Sequence, residues 1–234
     1  MNGATAKMAG AGAAAVALVG LALAATLRSS EPETSAAASD TTQSRAAPAA
    51  QDPMIESRSK GGADAPVTVF ELSDFGCPYC RLFANETLPH LEREYIDTGK
   101  IRFIFINLPL ASLHPNAPAA HEFAMCAARQ DRFWPVHDLL FQHQDRWNRS
   151  EAPGPIFMEL ADSVALDREA LTSCLANREV RPVVLADLQQ AQRGRITQTP
   201  TFVVEGGILP GHAPIDVWRP ILDSIIQTKA DSLN

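Results

Sequence analysis

The sequence predicts an α/β domain with an all-helical insertion between its second and third strands. Three observations carry this. Two β-branched and aromatic runs, Val67–Leu72 and Ile101–Leu108, flank one helical stretch. From Ala117 to about Arg193 only helical periodicity appears. Strand character then returns at 200–204, ahead of a last amphipathic helix.

The elements follow in order. Val67-Thr68-Val69-Phe70-Glu71-Leu72 has the continuous apolar character of a buried strand. Residues 80–98 read as a helix, with Leu82, Phe83, Leu88, Leu91 and Tyr95 at three- and four-residue steps; Pro89 should kink it and Gly99 end it. Ile101–Leu108 is the second buried strand. Candidate helices of the insertion (about 114–194) run over 117–129, 133–147, 156–165, 168–175 and 182–193. Residues 200–204 form the third strand, Gly206-Gly207 turns into a short strand at Ile208-Leu209, and a helix closes the domain over about 214–228. No internal repeat interrupts this order.

Upstream, Lys7 is the only charge before an uncharged run of Ala, Leu, Val and Gly from Met8 to Leu27, which Arg28 ends. This run is long enough to span a bilayer, yet Ala22-Leu23-Ala24 would also serve as a signal-peptide cleavage site. Residues 1–27 are therefore read as a signal anchor or a signal peptide. Either places the remainder outside the cytoplasm, in the cell envelope and facing the periplasm, tethered in the first case and soluble or secreted in the second. Residues 28–60, rich in Ser, Ala, Thr, Pro and Gln, are expected to be a flexible linker, with residues 61–230 forming the domain.

Composition narrows the function. A formal net charge of −7 offers no basic face for nucleic acid. Four cysteines and six histidines are too few for a metal-rich protein or a disulfide scaffold. The chemistry concentrates in Cys77-Pro78-Tyr79-Cys80, which follows a buried strand and opens a helix. Unpaired N–H groups and the positive end of the helix dipole favour a thiolate there, and Pro78 suits a first turn because it has no N–H to satisfy. Cys77 should be the exposed, low-pKa attacking thiol. Cys80, one turn inward, should be the more buried, resolving one. A zinc site would need two more ligands, and Cys126 and Cys174 are isolated. His137 and His143 lie on different helix faces and make no ligand pair, so the histidines offer no chemistry. Trp134, Phe141 and Trp147 read as core or groove lining.

Two further features bear on the cysteines. Glu71, six residues before Cys77 in a hydrophobic strand, is either a strand-end carboxylate facing water or a buried acid beneath the cysteines that moves protons to and from Cys80. Asp74 lies nearer but reads as an ordinary turn residue. Thr199-Pro200-Thr201, at the entry of the third strand, is either plain punctuation or, with a cis bond, a turn that frees the Thr199 backbone to pair with an extended peptide.

Taken together, Ser73-Asp74-Phe75-Gly76-Cys77-Pro78-Tyr79-Cys80, the Thr199-Pro200-Thr201-Phe202 turn, Glu71, the inserted helical block, His114-Pro115-Asn116-Ala117 and Gln130-Asp131-Arg132-Phe133-Trp134 resemble the thioredoxin superfamily, and within it the DsbA-like branch, over about 66–227. The resemblance implies a thioredoxin fold, a cis Pro200 beside Cys77, and a thiol–disulfide oxidoreductase without cofactor or metal. It further implies a groove for unfolded or reduced exported proteins and a membrane redox partner that resets the active-site disulfide. The absence of a visible dimerisation domain favours a monomeric disulfide donor over an isomerase. An envelope reductase and a peptide-binding, chaperone-like module are the alternatives. Cys126 and Cys174 are then either two buried thiols, a second redox pair or, as an oxidising compartment favours, a structural disulfide.

Overall fold

Strand pairing organises residues 54–232, the span described by the computed structural model. The signal or anchor segment and the first part of the expected linker lie outside the described residues. Among the described residues no helix is long and apolar enough to cross a membrane. Five strands form one sheet in the order β1 (Ser59–Lys60), β3 (Ile101–Asn107), β2 (Val67–Ser73), β4 (Thr201–Val204) and β5 (Gly207–Pro210). β2 and β3 are parallel, and every other pairing is antiparallel. A parallel pair needs a crossover, and the segment after β2 supplies it.

That crossover is less regular than a single kinked helix. It runs as α1 (Pro78–Leu82), a π turn (Phe83–Thr87), α2 (Leu88–Leu91) and a second π turn (Glu92–Ile96). Pro89 cannot donate to the carbonyl four residues back, and the preceding π turn absorbs the mismatch. The insertion contains α3 (Ala117–Ala128), α4 (Phe133–Gln142), α5 (Gln144–Trp147), α6 (Pro153–Ser163), α7 (Arg168–Ala176) and α8 (Arg181–Arg193), and α9 (Ile215–Ser232) closes the domain. The stretch expected as one helix over 133–147 breaks at His143 into α4 and α5. The β4–β5 turn is centred on Glu205 and Gly206, both with positive φ (48° and 83°), one residue earlier than expected. Two left-handed residues in a row match the twist of a tight hairpin.

The linker ends earlier than its composition indicates. Residues 54–60 belong to the domain: Glu56–Arg58 form a short 3₁₀ turn, and Ser59–Lys60 add the edge strand β1 to β3. Arg58 is fully buried, donating to the Phe105 carbonyl at 3.0 Å and gripping Asp187 of α8 with both guanidinium ends. With apolar residues only at Met54 and Ile55, this seven-residue segment carries no apolar periodicity, so only its long-range partners reveal it.

One face of the sheet packs Val67, Val69, Phe103 and Phe202 against Phe83, Leu91, Trp218 and Leu222, from the crossover and α9. The other face meets α8 through Leu72, Leu108 and Ala191. The insertion builds its own core around Phe123, Phe141, Trp147 and Phe157, and that core continues into Phe75, Cys77 and Cys80. The cysteine pair therefore lies at the seam between sheet and insertion. Cys126 and Cys174 join in a disulfide between α3 and α7, with Cα atoms 6.0 Å apart.

Candidate active site

The turn between β2 and α1 carries the site, and its shape follows from Asp74. This carboxylate does lie in the turn, but it is fully buried rather than an ordinary turn residue. It accepts hydrogen bonds from the Gly76 N–H (2.7 Å), the Leu110 N–H (2.9 Å) and His114 Nδ1 (2.8 Å), with His121 Nε2 at 3.8 Å. Burial by itself would raise its pKa, but the bonds from His114, the adjacent His121 ring and the Leu110 N–H hold the carboxyl well below the usual range. Reciprocally, the bond to Asp74 raises the pKa of His114 against a smaller opposing effect of burial. Gly76 is obligatory here: a Cβ would sit 2.4 Å from His114 Cβ and 2.9 Å from Asn148 Oδ1. The insertion completes the clamp. Gln144 Nε2 donates to the carbonyls of Phe75 (2.7 Å) and Cys77 (2.9 Å), and Asn148 Nδ2 donates to that of Gly76 (2.9 Å).

His121 extends the clamp inward. The Phe75 N–H donates to its Nε2 at 3.3 Å, while Nδ1 pairs with Asn107 Oδ1 at 2.8 Å. Asn107 in turn donates to Asp187, the partner of Arg58. A buried polar chain thus runs from the edge of the sheet to the cysteine turn. His137 is also buried, edge-on to Phe75, Phe105, Trp134 and Phe141. The histidines are not idle, as their sequence spacing indicated. The partners of His114 and His121 on the cysteine turn lie 40 and 46 positions away, too far in sequence to register.

Cys77 is the N-cap of α1 and Cys80 lies within its first turn. Both are free thiols. The Cys77 S–H donates to the Thr199 carbonyl at 3.4 Å, and the Asp74 N–H donates to Cys80 Sγ at 3.5 Å. Cys77 is only 5 % exposed, against 0 % for Cys80, so the outer thiol is less open than a helix head implies. The Thr199–Pro200 turn lies against it. The bond between those two residues is cis.

The two thiols are electrostatically opposite. Hydrogen bonding from Cys80 is the largest cause that lowers the Cys77 pKa to about 6. Burial opposes it, and Thr199 and the N–H groups of Cys80 and Tyr79 add to it. Burial, first, and the Cys77 sulfur, second, push Cys80 well above the ordinary thiol value. Glu71 is buried rather than solvated at a strand end. It shares a face of β2 with Val67 and Val69, between Phe105 on β3 and Phe202 on β4, and neither carboxyl oxygen has a hydrogen-bond partner. Burial pushes its pKa up to about 8; the Ser73 hydroxyl nearby, itself outside hydrogen-bond geometry, opposes this as a polar neighbour, and charge on Cys77 reinforces it. The shifts favour the thiolate form of Cys77, once its proton is lost from the bond to Thr199, and the protonated forms of Cys80 and Glu71.

Outside these residues the surface is open and mixed. A groove of about 600 Å³ runs between the cysteine turn and the insertion, lined by Gly76, Pro78, Arg81, Leu113, His114 and Arg149 among others. Tyr79 (62 % exposed) and Leu113 (69 % exposed) present bare apolar side chains next to it. Among the described residues no cluster of His, Cys, Asp and Glu could hold a metal ion.

Comparison with known proteins agrees with this picture. A family model described as Thioredoxin matches residues 54–224. The chain is 35 % identical over 147 residues to the Na(+)/H(+) antiporter NhaA 3 of Salinispora tropica, covering 63 % of this chain but only 21 % of that protein. It thus spans about a fifth of the length of that relative. It is 34 % identical over 155 residues to the probable disulfide bond formation protein D of Bacillus anthracis, covering 64 % of this chain and 70 % of that protein. The crystal structure of oxidised BdbD from Bacillus subtilis superposes with a TM-score of 0.66 at 25 % identity, over 73 % of this chain and 92 % of that one. With the family match extending from the edge-strand segment well into the last helix, and the Cys-x-x-Cys turn at the head of α1, the chain belongs to the thioredoxin family.

Proposed function

We propose that this chain is an extracytoplasmic thiol–disulfide oxidoreductase that donates a Cys77–Cys80 disulfide to reduced, unfolded exported proteins. The observation that carries the reading is the split between the two thiols: Cys77 drawn down to about 6, Cys80 pushed well above its ordinary value. In the donor direction a substrate thiolate attacks the Cys77 sulfur. The Cys77–Cys80 bond breaks and Cys80 leaves as a thiolate. Glu71, buried beneath it and protonated at neutral pH, supplies the proton that makes Cys80 a thiol. A second substrate thiolate then attacks the substrate sulfur of the mixed disulfide and expels Cys77, a good leaving group because its thiolate is stable. The product is a substrate disulfide and a protein dithiol, which a membrane redox partner reoxidises. Stabilising the Cys77 thiolate favours the reduced protein, and therefore an oxidising potential.

Tyr79, Pro78 and the Thr199–Pro200 turn frame the attacked sulfur, and the Thr199 backbone, whose carbonyl is engaged among the described residues only by the Cys77 S–H, suits an extended peptide. The uncharged run at 8–27 supports a place outside the cytoplasm, and the relatives named for disulfide bond formation support the class of reaction. Equilibration against a glutathione series tests the direction. A donor sits nearer about −120 mV, and a reductase nearer about −270 mV. Substrate processing that survives alkylation of Cys77 would instead make this a peptide-binding module.

A further inference from the structure

The groove beside Cys77 carries excess positive charge, on a chain whose formal net charge is −7. Three cationic side chains stand on its wall, each placed by a bond to the cysteine turn. Arg81 lies four residues beyond Cys77 and donates its N–H to the Cys77 carbonyl at 3.1 Å, so it is one helical turn along on the same face. Arg149 follows Asn148, whose side chain is tied to the Gly76 carbonyl at 2.9 Å. His114 packs against Gly76 and gives Nδ1 to the buried Asp74, which favours its imidazolium form. Asp145 is the single acidic side chain on the same wall. Arg146 and Arg168, also on the insertion, are each neutralised by a carboxylate, Glu159 and Asp162 respectively. No ion pair of that kind engages Arg81 or Arg149 among the described residues.

Two guanidinium groups without an ion-pair partner on the wall of the groove, Arg81 one helical turn from the reacting cysteine, attract an anionic ligand and repel a cationic one. We infer that the groove formed by Arg81, His114 and Arg149 selects, among extended polypeptide substrates, those with Asp or Glu next to the cysteine that meets Cys77. Leu113 and Pro115 on the same wall leave room for an apolar neighbour beside the acidic one. The inference rests on the oxidoreductase reading above and adds a substrate class to it.

The test uses the full chain in its oxidised form and three dithiol peptides of one length and cysteine spacing, differing only in whether Glu, Gln or Lys flanks the first cysteine. The expected order of kcat/KM is Glu, then Gln, then Lys, with a Glu-to-Lys ratio of about 10 at low ionic strength. That ratio should shrink toward unity in about 0.5 M salt, where the screening length falls below the reach of the groove. In the R81E/R149E protein the order should invert. The ratio within one protein is unaffected by any general change in the rate of exchange. R149E alone, at an exposed position, should lower the ratio if the double variant does not fold. Equal kcat/KM for the Glu and Lys peptides, or an order unchanged in the charge-reversed proteins, overturns this inference. Failure to oxidise any of the three peptides overturns the oxidoreductase reading itself.

Discussion

Replacing Cys80 with Ala isolates what holds Cys77 as a thiolate. The neighbouring sulfur is the largest of the causes that bring the Cys77 pKa to about 6. At that value about 90 % of the thiol is ionised at pH 7. A hydrogen bond to a charged acceptor contributes roughly 1.5–3 kcal/mol, and one pKa unit corresponds to about 1.4 kcal/mol. Loss of the Cys80 donor should therefore move the Cys77 pKa to roughly 7–8, leaving between about 50 % and about 10 % thiolate at pH 7. It should not reach the value of a free thiol, because Thr199 and the N–H groups of residues 79 and 80 remain in place. Cys80→Ser keeps an O–H donor and should fall between the two. Thiolate absorbance near 240 nm against pH reads the titration, and iodoacetamide alkylation rates check it independently. A Cys80→Ala protein that still titrates near 6 would refute the reasoning, and so would Ala and Ser variants that titrate together.

The same division of labour predicts that Cys80→Ser accumulates mixed disulfides with substrate on non-reducing gels, while Cys77→Ser traps nothing; trapping by the latter would reverse the assigned roles. In the oxidised protein, where the cysteines do not titrate, Glu71 makes stability pH-dependent. Its folded pKa, about 8 with the thiols free, loses the contribution of charge on Cys77 in the disulfide form but stays above its ordinary 4.5 because burial, the largest cause, remains, so the folded state retains a proton that the unfolded chain loses in between. Stability should fall as pH rises from about 5 to about 8, by at most roughly 4–5 kcal/mol, and Glu71→Gln should flatten that slope in denaturant titrations. The Cys126–Cys174 bridge closes a span of 48 positions. A Cys126→Ala/Cys174→Ala protein should lose about 4 kcal/mol, read as a Tm lower by roughly 8–16 °C. Gly76→Ala places a methyl into His114 and Asn148, so it should destabilise the domain and slow alkylation of Cys77 together; a wild-type Tm would show that the clamp yields.

What the sequence by itself determined about this protein is whatever depends on near neighbours along the chain. A buried strand ending in Cys77-Pro78-Tyr79-Cys80 at a helix head already implies an acidic outer thiol, because the dipole and the unpaired N–H groups lie within one turn. The helical insertion, the last strands and α9 follow likewise from periodicity and turn residues. Only the tertiary structure decided that Glu71 faces inward between Phe105 and Phe202, that Asp74 is buried under His114, and that Cys126 meets Cys174. The same holds for Arg58, which makes residues 54–60 part of the domain through Asp187, 129 positions away. An isolated Asp, His or Arg looks the same in sequence whether it faces water or a buried partner. Its role depends on which distant group the fold brings within about 3 Å, and no local pattern records that distance.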